Sequence, residues 1–314
     1  MTAGMAGVRP PHLWAITSYF NPMRYQRRLA NYRTFRARLD LPLVAVELAY
    51  STAFELGDGD ADVLVRLRGR DVMWQKERLL NVALARLPTD CRHVLWVDCD
   101  VLFESADWSA RLDALLERHP LVQAFSRVHH LPPRAKAEAV ASAPAFTQAS
   151  VLALVAEIGT DAVASTIPSG PGSSNKGLAW AARRDVLERH RLYDACIVGG
   201  GDMALAGGVL GRFDVATRTM NARQADHYLA WARPWHDAVA GATGVLDETI
   251  RHLWHGDIAD RRYRERHDGL AEHDFDPAAD IAVDDSGAWR WNSDKAALHE
   301  YVRWYFASRR EDGA

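Results

Sequence analysis

Blocks of apolar positions alternate with amphipathic blocks along the chain. Leu13-Trp14-Ala15-Ile16-Thr17-Ser18 is a short apolar run and predicts a first strand. Asn21-Pro22 then predicts a helix start, with Asn as the cap and Pro at the first helical position. Tyr25, Leu29, Tyr32 and Phe35 share one face of that helix, while Arg24, Arg27, Arg28, Arg33 and Arg36 occupy the rest. Leu41 to Leu48 is a second apolar run, with Glu47 near its end, and residues 57–62, rich in Gly and Asp, predict a loop. Trp74 to Leu87 predicts a helix with Leu80, Leu84 and Leu87 in phase, stopped by Pro88-Thr89-Asp90. His93-Val94-Leu95-Trp96-Val97 predicts a buried strand ending at Asp98-Cys99-Asp100, before Val101-Leu102-Phe103. Strands alternating with helices predict an α/β fold with a mostly parallel central sheet flanked by helices.

Composition shifts between about 132 and 172, where Ala, Ser and Pro dominate. Thr147 to Ile158 predicts a helix within this stretch, and Ser169-Gly170-Pro171-Gly172-Ser173-Ser174 predicts a mobile loop, either a plain connector or a lid over a substrate. Order returns with a strand at Gly177-Leu178-Ala179-Trp180-Ala181-Ala182 and a short helix from Arg183 to His190. Gly199-Gly200-Gly201-Asp202 opens an apolar helix, Met203 to Leu210. His252-Leu253-Trp254-His255-Gly256-Asp257, the charged segment Arg261 to Arg266 and an aromatic helix from Leu298 to Phe306 follow. There is no internal repeat.

The bulk numbers narrow the class. A chain of 314 residues has ample core for one large α/β domain or two modest ones. Its 48% apolar and 25% charged residues are those of an ordinary globular protein, and a net charge of −3 excludes a nucleic-acid binder driven by bulk charge. Cys91, Cys99 and Cys196 lack metal spacing and read as reduced thiols of a cytoplasmic protein. No apolar run is long enough to span a membrane and no signal-peptide pattern is seen, so membrane-linked material would be reached from the cytosolic face. Eleven tryptophans suit stacking on sugars, although most tryptophans simply fill cores.

Three motifs carry candidate chemistry. Asp98 and Asp100 stand at the carboxyl end of a buried strand, where open α/β sheets bind ligands, and two carboxylates there suit Mg²⁺ or Mn²⁺ shared with phosphates. The three glycines before Asp202 let the backbone pass close to a ligand, and a carboxylate at that helix start is placed to act as a base. The imidazoles of His252 and His255 face the same way if the segment is a helix or turn. Carboxylates joined by imidazoles lean from Mg²⁺ towards Mn²⁺. Each motif alone also fits a solvated turn, an N-capping Asp or a structural histidine.

Together, in order and spacing, they resemble the metal-dependent glycosyltransferases of the GT-A fold (the Rossmann-like nucleotide-diphospho-sugar transferase fold), most of all the β-1,4-galactosyltransferase type. Lys76-Glu77-Arg78-Leu79-Leu80-Asn81-Val82 is similar to a helix upstream of that family's metal triplet, and Val97-Asp98-Cys99-Asp100-Val101-Leu102 to the triplet itself. Gly177-Leu178-Ala179-Trp180 resembles its Gly-rich acceptor-side strand, Gly199-Gly200-Gly201-Asp202 its Gly-Gly-Glu-Asp element, and His252-Leu253-Trp254-His255 its late metal-binding segment. The resemblance covers roughly residues 13–267. It implies that Asp100 and His255 ligate Mn²⁺ (or Mg²⁺), with Asp98 on the ribose or near the metal. His252, at the position where the family has Met, would be a third candidate ligand. Asp202 would be the catalytic base. Thr17, Ser18, Tyr19, Glu47, Trp74 and Lys76 would border the nucleotide, and Gly177, Trp180, Gly200 and Gly201 the acceptor.

The implied reaction is sugar transfer from a nucleotide diphosphate sugar, UDP-linked, to a carbohydrate or other hydroxyl acceptor, with inversion. Arg261, Arg262 or Arg264 would add positive charge at the phosphates. The expected organisation is a GT-A domain over 1–270 and a C-terminal extension over 271–314. The domain would have a donor half at about 10–130, a mobile segment at about 132–176 and an acceptor half at about 177–270. Gly201 and Met203-Ala204 replace acidic residues that the family uses to bind its acceptor sugar, so a different acceptor is expected. Without stem, anchor or disulfide pair, the expectation is a bacterial cytosolic relative. Competing readings are a haloacid-dehalogenase-type phosphohydrolase with Asp98 as nucleophile, a non-catalytic nucleotide-sugar or glycan scaffold, and a nucleotidyltransferase.

Overall fold

Long apolar runs become strands where both faces of a sheet are covered, and the N-terminal half of this chain follows that rule. A computed structural model describes residues 12–133, 142–163, 173–239, 241–263 and 265–313. Its strands are β1 (Leu13–Phe20), β2 (Leu43–Ala49), β3 (Val63–Arg68), β4 (His93–Val97), β5 (Val101–Phe103), β6 (Leu121–Gln123), β7 (Arg127–His130), β8 (Phe146–Ala149), β9 (Ala179–Arg183), β10 (Thr243–Val245), β11 (Thr249–His252), β12 (Ile281–Val283) and β13 (Trp289–Trp291). The α-helices are α1 (Gln26–Arg38), α2 (Lys76–Leu84), α3 (Trp108–Leu116), α4 (Val151–Ile158), α5 (Thr160–Val163), α6 (Arg184–His190), α7 (Gly201–Val209), α8 (Phe213–Thr217), α9 (Ala222–Val239), α10 (Glu265–Glu272), α11 (Pro277–Asp280) and α12 (Ala296–Ser308).

Seven strands form the central sheet in the order β10-β6-β9-β4-β1-β2-β3. β3, β2, β1 and β4 pair in parallel, β10 runs parallel to β6, and β9 pairs antiparallel with both β4 and β6. The chain is thus an α/β protein with a mostly parallel sheet flanked by helices, as the alternating pattern predicts. Ile16, Val44, Val46, Val94 and Trp96 pack on one face, Leu13, Ala15, Leu43, Ala45 and Leu95 on the other. A second sheet, β5-β11-β7-β8, holds the segments on either side of the site.

Several predicted boundaries move. β1 runs on to Phe20, and the first helix starts at Gln26 rather than Pro22. Asn21 caps a tight turn instead: its carbonyl accepts from the Arg24 N–H (3.1 Å) and its Oδ1 from the Tyr25 N–H (2.9 Å). The open N–H groups of Gln26 and Arg27 go to the carboxylate of Asp312, at 3.0 and 2.7 Å. Thr147 lies in β8, and the helix predicted there begins at Val151, where Ser150 Oγ caps it by accepting from the Ala153 N–H. His252 ends a strand rather than sitting on a helix. The predicted loop 169–176 lies partly, and Arg264 wholly, outside the described residues. Among the described residues, no helix is long and apolar enough to cross a membrane.

Trp180, expected on the acceptor side, is a core residue. It is 1% exposed, stacks on Trp96 with ring centroids 6.5 Å apart, and donates its Nε1–H to the Lys176 carbonyl at 2.7 Å. Trp180→Ala is expected to lower stability by about 3–5 kcal/mol in urea unfolding, the usual cost of emptying so large a site. A loss under about 1 kcal/mol would contradict this placement.

Candidate active site

The Asp98-Cys99-Asp100 triplet is a reversal between two sheets. The Asp98 N–H donates to the Leu178 carbonyl (2.8 Å) and the Val101 N–H to the Asp98 carbonyl (3.3 Å), and the chain turns from β4 into β5. β5 then pairs antiparallel with β11, with Val101 opposite His252. The Leu253 N–H donates to the Asp100 carbonyl at 2.9 Å. This pairing carries the late histidines to the aspartate. His252 Nε2 lies 3.6 Å from Asp100 Oδ1, and His255 Nε2 lies 3.2 Å from Asp100 Oδ2.

One ligand atom from each of Asp100, His252 and His255 falls within 4.8 Å of the others, and the cluster does not include Asp98. Asp100 Oδ1 is buried without a hydrogen-bond partner. His255 Nε2 accepts from Arg261 Nη2 at 3.1 Å, so the nitrogen turned towards Asp100 carries a lone pair. Burial and the Arg261 guanidinium hold His255 well below the ordinary histidine value, so the ring stays neutral. Converging acceptors with one orphaned oxygen fit a divalent cation, and a mixed nitrogen and oxygen set suits Mn²⁺ better than Mg²⁺.

Asp98 turns to other partners. Lys76, at the start of α2, places Nζ 2.7 Å from Asp98 Oδ1 and 2.9 Å from Asp202 Oδ1. Burial, with Asp202 and Asp100 nearby, pushes Asp98 up to about 6 despite the lysine. Asp202 stands in the first turn of α7, behind Gly200, which takes the left-handed φ of 106° that glycine permits. Gly177 lies against it: a Cβ there would sit 2.3 Å from Asp202 Oδ2. A Cβ at Gly201 would sit 2.2 Å from Glu77 Oε1, so the Glu77 carboxyl fills the space in front of residue 201.

A small cavity of about 70 Å³ opens at the carboxyl ends of β1 and β4. Of the residues predicted to line it, Ser18, Trp74, Lys76, Asp98, Asp100 and His255 do. Thr17, Tyr19 and Glu47 do not. Thr17 Oγ1 donates to the Val97 carbonyl at 2.7 Å, tying β1 to β4. Tyr19 is buried and its hydroxyl donates to Glu55. Glu47 accepts the N–H groups of Glu55 (2.6 Å) and Leu56 (3.2 Å) and so anchors the loop after β2. Arg28 and Arg309, which no motif marks, also line the cavity. Both are paired with Glu311, at 2.8 and 2.7 Å, and the Arg309 guanidinium lies 5.0 Å from the Trp74 ring centre.

No known family model and no curated protein matches the sequence. Among solved structures the chain is similar to S. aureus TarS 1–349 in complex with UDP-GlcNAc, at 12% identity and a TM-score of 0.41, over 78% of this chain and 59% of that one. It is similar to the mannosyltransferase PcManGT from Pyrobaculum calidifontis in complex with GDP-Man and Mn²⁺, at 16% identity and a TM-score of 0.33, over 75% of each chain. It is also similar to the catalytic domain of Drosophila beta1,4-galactosyltransferase 7 in complex with xylobiose. There the identity is 12% and the TM-score 0.29, over 65% of this chain and 62% of that one. Likenesses this remote assign neither an activity nor residue roles.

The buried carboxyls give a pH prediction. Burial raises Glu77 from 4.5 to about 8. Between these values the unfolded chain binds fewer protons than the folded one, so stability falls as pH rises through that window. Glu77→Gln cannot lose a proton and is expected to remove this fall, read from urea unfolding at about pH 5 and about pH 9. The same pH dependence in variant and wild type would contradict the assignment.

Proposed function

We propose that this protein is a metal-dependent glycosyltransferase of the GT-A fold that moves a sugar from a nucleotide diphosphate sugar, UDP-linked, to a hydroxyl acceptor with inversion. The observation that carries the reading is the joining of two functions around one lysine. Lys76 Nζ bridges Asp98, beside the carboxylate–imidazole cluster, and Asp202, 2.7 and 2.9 Å away. Donor diphosphate and acceptor hydroxyl would then meet across that lysine.

Asp100, His255 and His252 would hold Mn²⁺ (or Mg²⁺), which when bound supplies Lewis-acid stabilisation of the charge on the leaving diphosphate. Ser18 and Trp74 would border the nucleotide. Lys76 would add a fixed positive charge where negative charge grows. Asp202, whose carboxylate packs against Gly177, would take the proton of the attacking hydroxyl. The acceptor side lacks acidic residues at Gly201, Met203 and Ala204. The acceptor is therefore a carbohydrate or other hydroxyl compound bound differently from the sugar of the family that the sequence resembles.

A thermal-shift screen of nucleotide sugars with and without Mn²⁺ tests this reading. Binding to the folded state at a hundred times Kd adds about 2.7 kcal/mol, a visible rise in Tm. The expected result is a rise with a UDP-sugar that needs Mn²⁺. No response to any nucleotide sugar, together with phosphate release from simple phosphoesters, would overturn it in favour of a phosphohydrolase. Asp202→Asn is expected to bind donor and Mn²⁺ normally but to lose transfer by about 10²–10⁴-fold. Wild-type transfer from this variant would remove Asp202 as the base. His255→Ala is expected to weaken Mn²⁺ and donor binding together in calorimetry, and unchanged metal-dependent donor affinity would contradict its role.

A further inference from the structure

His130 belongs to no motif, yet it lies directly behind the metal cluster. β7 pairs in parallel with β11, with His130 opposite His252, so the two rings share one face of the small sheet. Their Nδ1 atoms are 3.0 Å apart. The other ring nitrogen of His130, Nε2, lies 2.9 Å from Gln148 Oε1. On the next strand, Phe146 stacks on the His130 ring with centroids 4.2 Å apart and planes 12° from parallel.

The hydrogen bonds assign the protons one after another. Asn175 Oδ1 accepts the Gly177 N–H at 3.1 Å, so Asn175 Nδ2 is free to donate to Gln148 Oε1 at 3.3 Å. Gln148 Nε2 donates to the Ser173 carbonyl at 2.9 Å, which fixes Oε1 as the end facing His130. An amide oxygen only accepts, so the proton of a neutral His130 sits on Nε2 and its Nδ1 is a lone pair. His252 must then donate from its own Nδ1. On a neutral His252 ring this leaves Nε2 as a lone pair, 3.6 Å from Asp100 Oδ1.

This outcome is not the one an isolated imidazole beside a carboxylate would choose. Left alone, His252 would put its proton on Nε2 and donate it to Asp100, which would close the cluster to a cation. We infer that His130 is a positioning residue. Backed by Gln148, it holds His252 in the tautomer protonated on Nδ1 and so presents Nε2 as a ligand to a divalent cation shared with Asp100 and His255. Metal-bound histidines commonly give their second nitrogen to such a partner, and losing the partner typically costs 10–100-fold in metal affinity. Here the partner is an imidazole whose own proton is set by an amide.

The inference rests on the metal-site reading above, and the test separates the two. Mn²⁺ binding to the full chain is measured from the EPR signal of free Mn²⁺, and ¹⁵N NMR reads the histidine tautomers of the metal-free protein. His130→Phe keeps a flat ring on Phe146 and deletes both nitrogens. It is expected to bind Mn²⁺ about 10–100-fold more weakly and to move the His252 proton from Nδ1 to Nε2. His130→Asn, whose amide oxygen reaches the position of Nδ1, is expected to recover part of the affinity. If His130→Phe does not fold, Gln148→Met serves instead, since it removes the acceptor that orients His130 and is expected to shift the same resonances. Wild-type Mn²⁺ affinity in these variants, or an unchanged His252 tautomer, overturns the role of His130. A wild-type protein that binds no Mn²⁺ at all overturns the metal-site reading instead.

Discussion

The register between β5 and β11 decides whether there is a site at all. Val101 faces His252, so the residue before one meets the segment after the other, across about 150 positions of sequence. A slip of one residue would turn His252 to the opposite face of the small sheet and away from Asp100. Two neighbouring pairings fix the same row. His130 stands opposite His252 on β7, and Phe146 stands opposite His130 on β8. One row of paired residues thus runs from Val101, just past the aspartate triplet, through His252 and His130 to Phe146.

Crowding four carboxyls at one end of a sheet needs opposing charge. Lys76 supplies it for Asp98 and Asp202, while Glu77 keeps its proton up to about 8 and adds no charge at neutral pH. Asp100 faces the imidazoles of His252 and His255, with the Arg261 guanidinium nearby. The far end of the chain closes the other wall. Glu311 pairs with Arg28 and Arg309, and Asp312 caps α1. At Gly256, in the loop that carries His255, a Cβ would sit 3.0 to 3.1 Å from the backbone of residues 309–311. The C-terminal segment therefore braces the loop that carries His255 as well as lining the cavity.

The central strands were legible in sequence because both of their faces are buried, which makes them unbroken apolar runs. β3 was not, since its Arg66 and Arg68 point outward from a sheet edge. β10 and β11 are too short to show a period. Asp100, Asp202, His252 and His255 could be picked out as candidates from residue type and order, and the structure brings Asp100, His252 and His255 together. Direction along a strand could not, and Thr17, Tyr19 and Glu47 turned inward to hold β1, β4 and the loop after β2. Arg28, Arg309 and His130 reach the site only through pairings between distant segments, which no local pattern encodes.

In the proposed function, Asp100, His252 and His255 together bind a metal that also holds a nucleotide diphosphate. Pulsed EPR of the protein with Mn²⁺ and UDP reads this directly, because nuclei of bound ligands couple to the metal spin. Nitrogen couplings from two imidazoles are expected together with phosphorus couplings from UDP, with one imidazole coupling lost in His255→Ala. Mn²⁺ that shows phosphorus but no imidazole nitrogen would contradict the proposal.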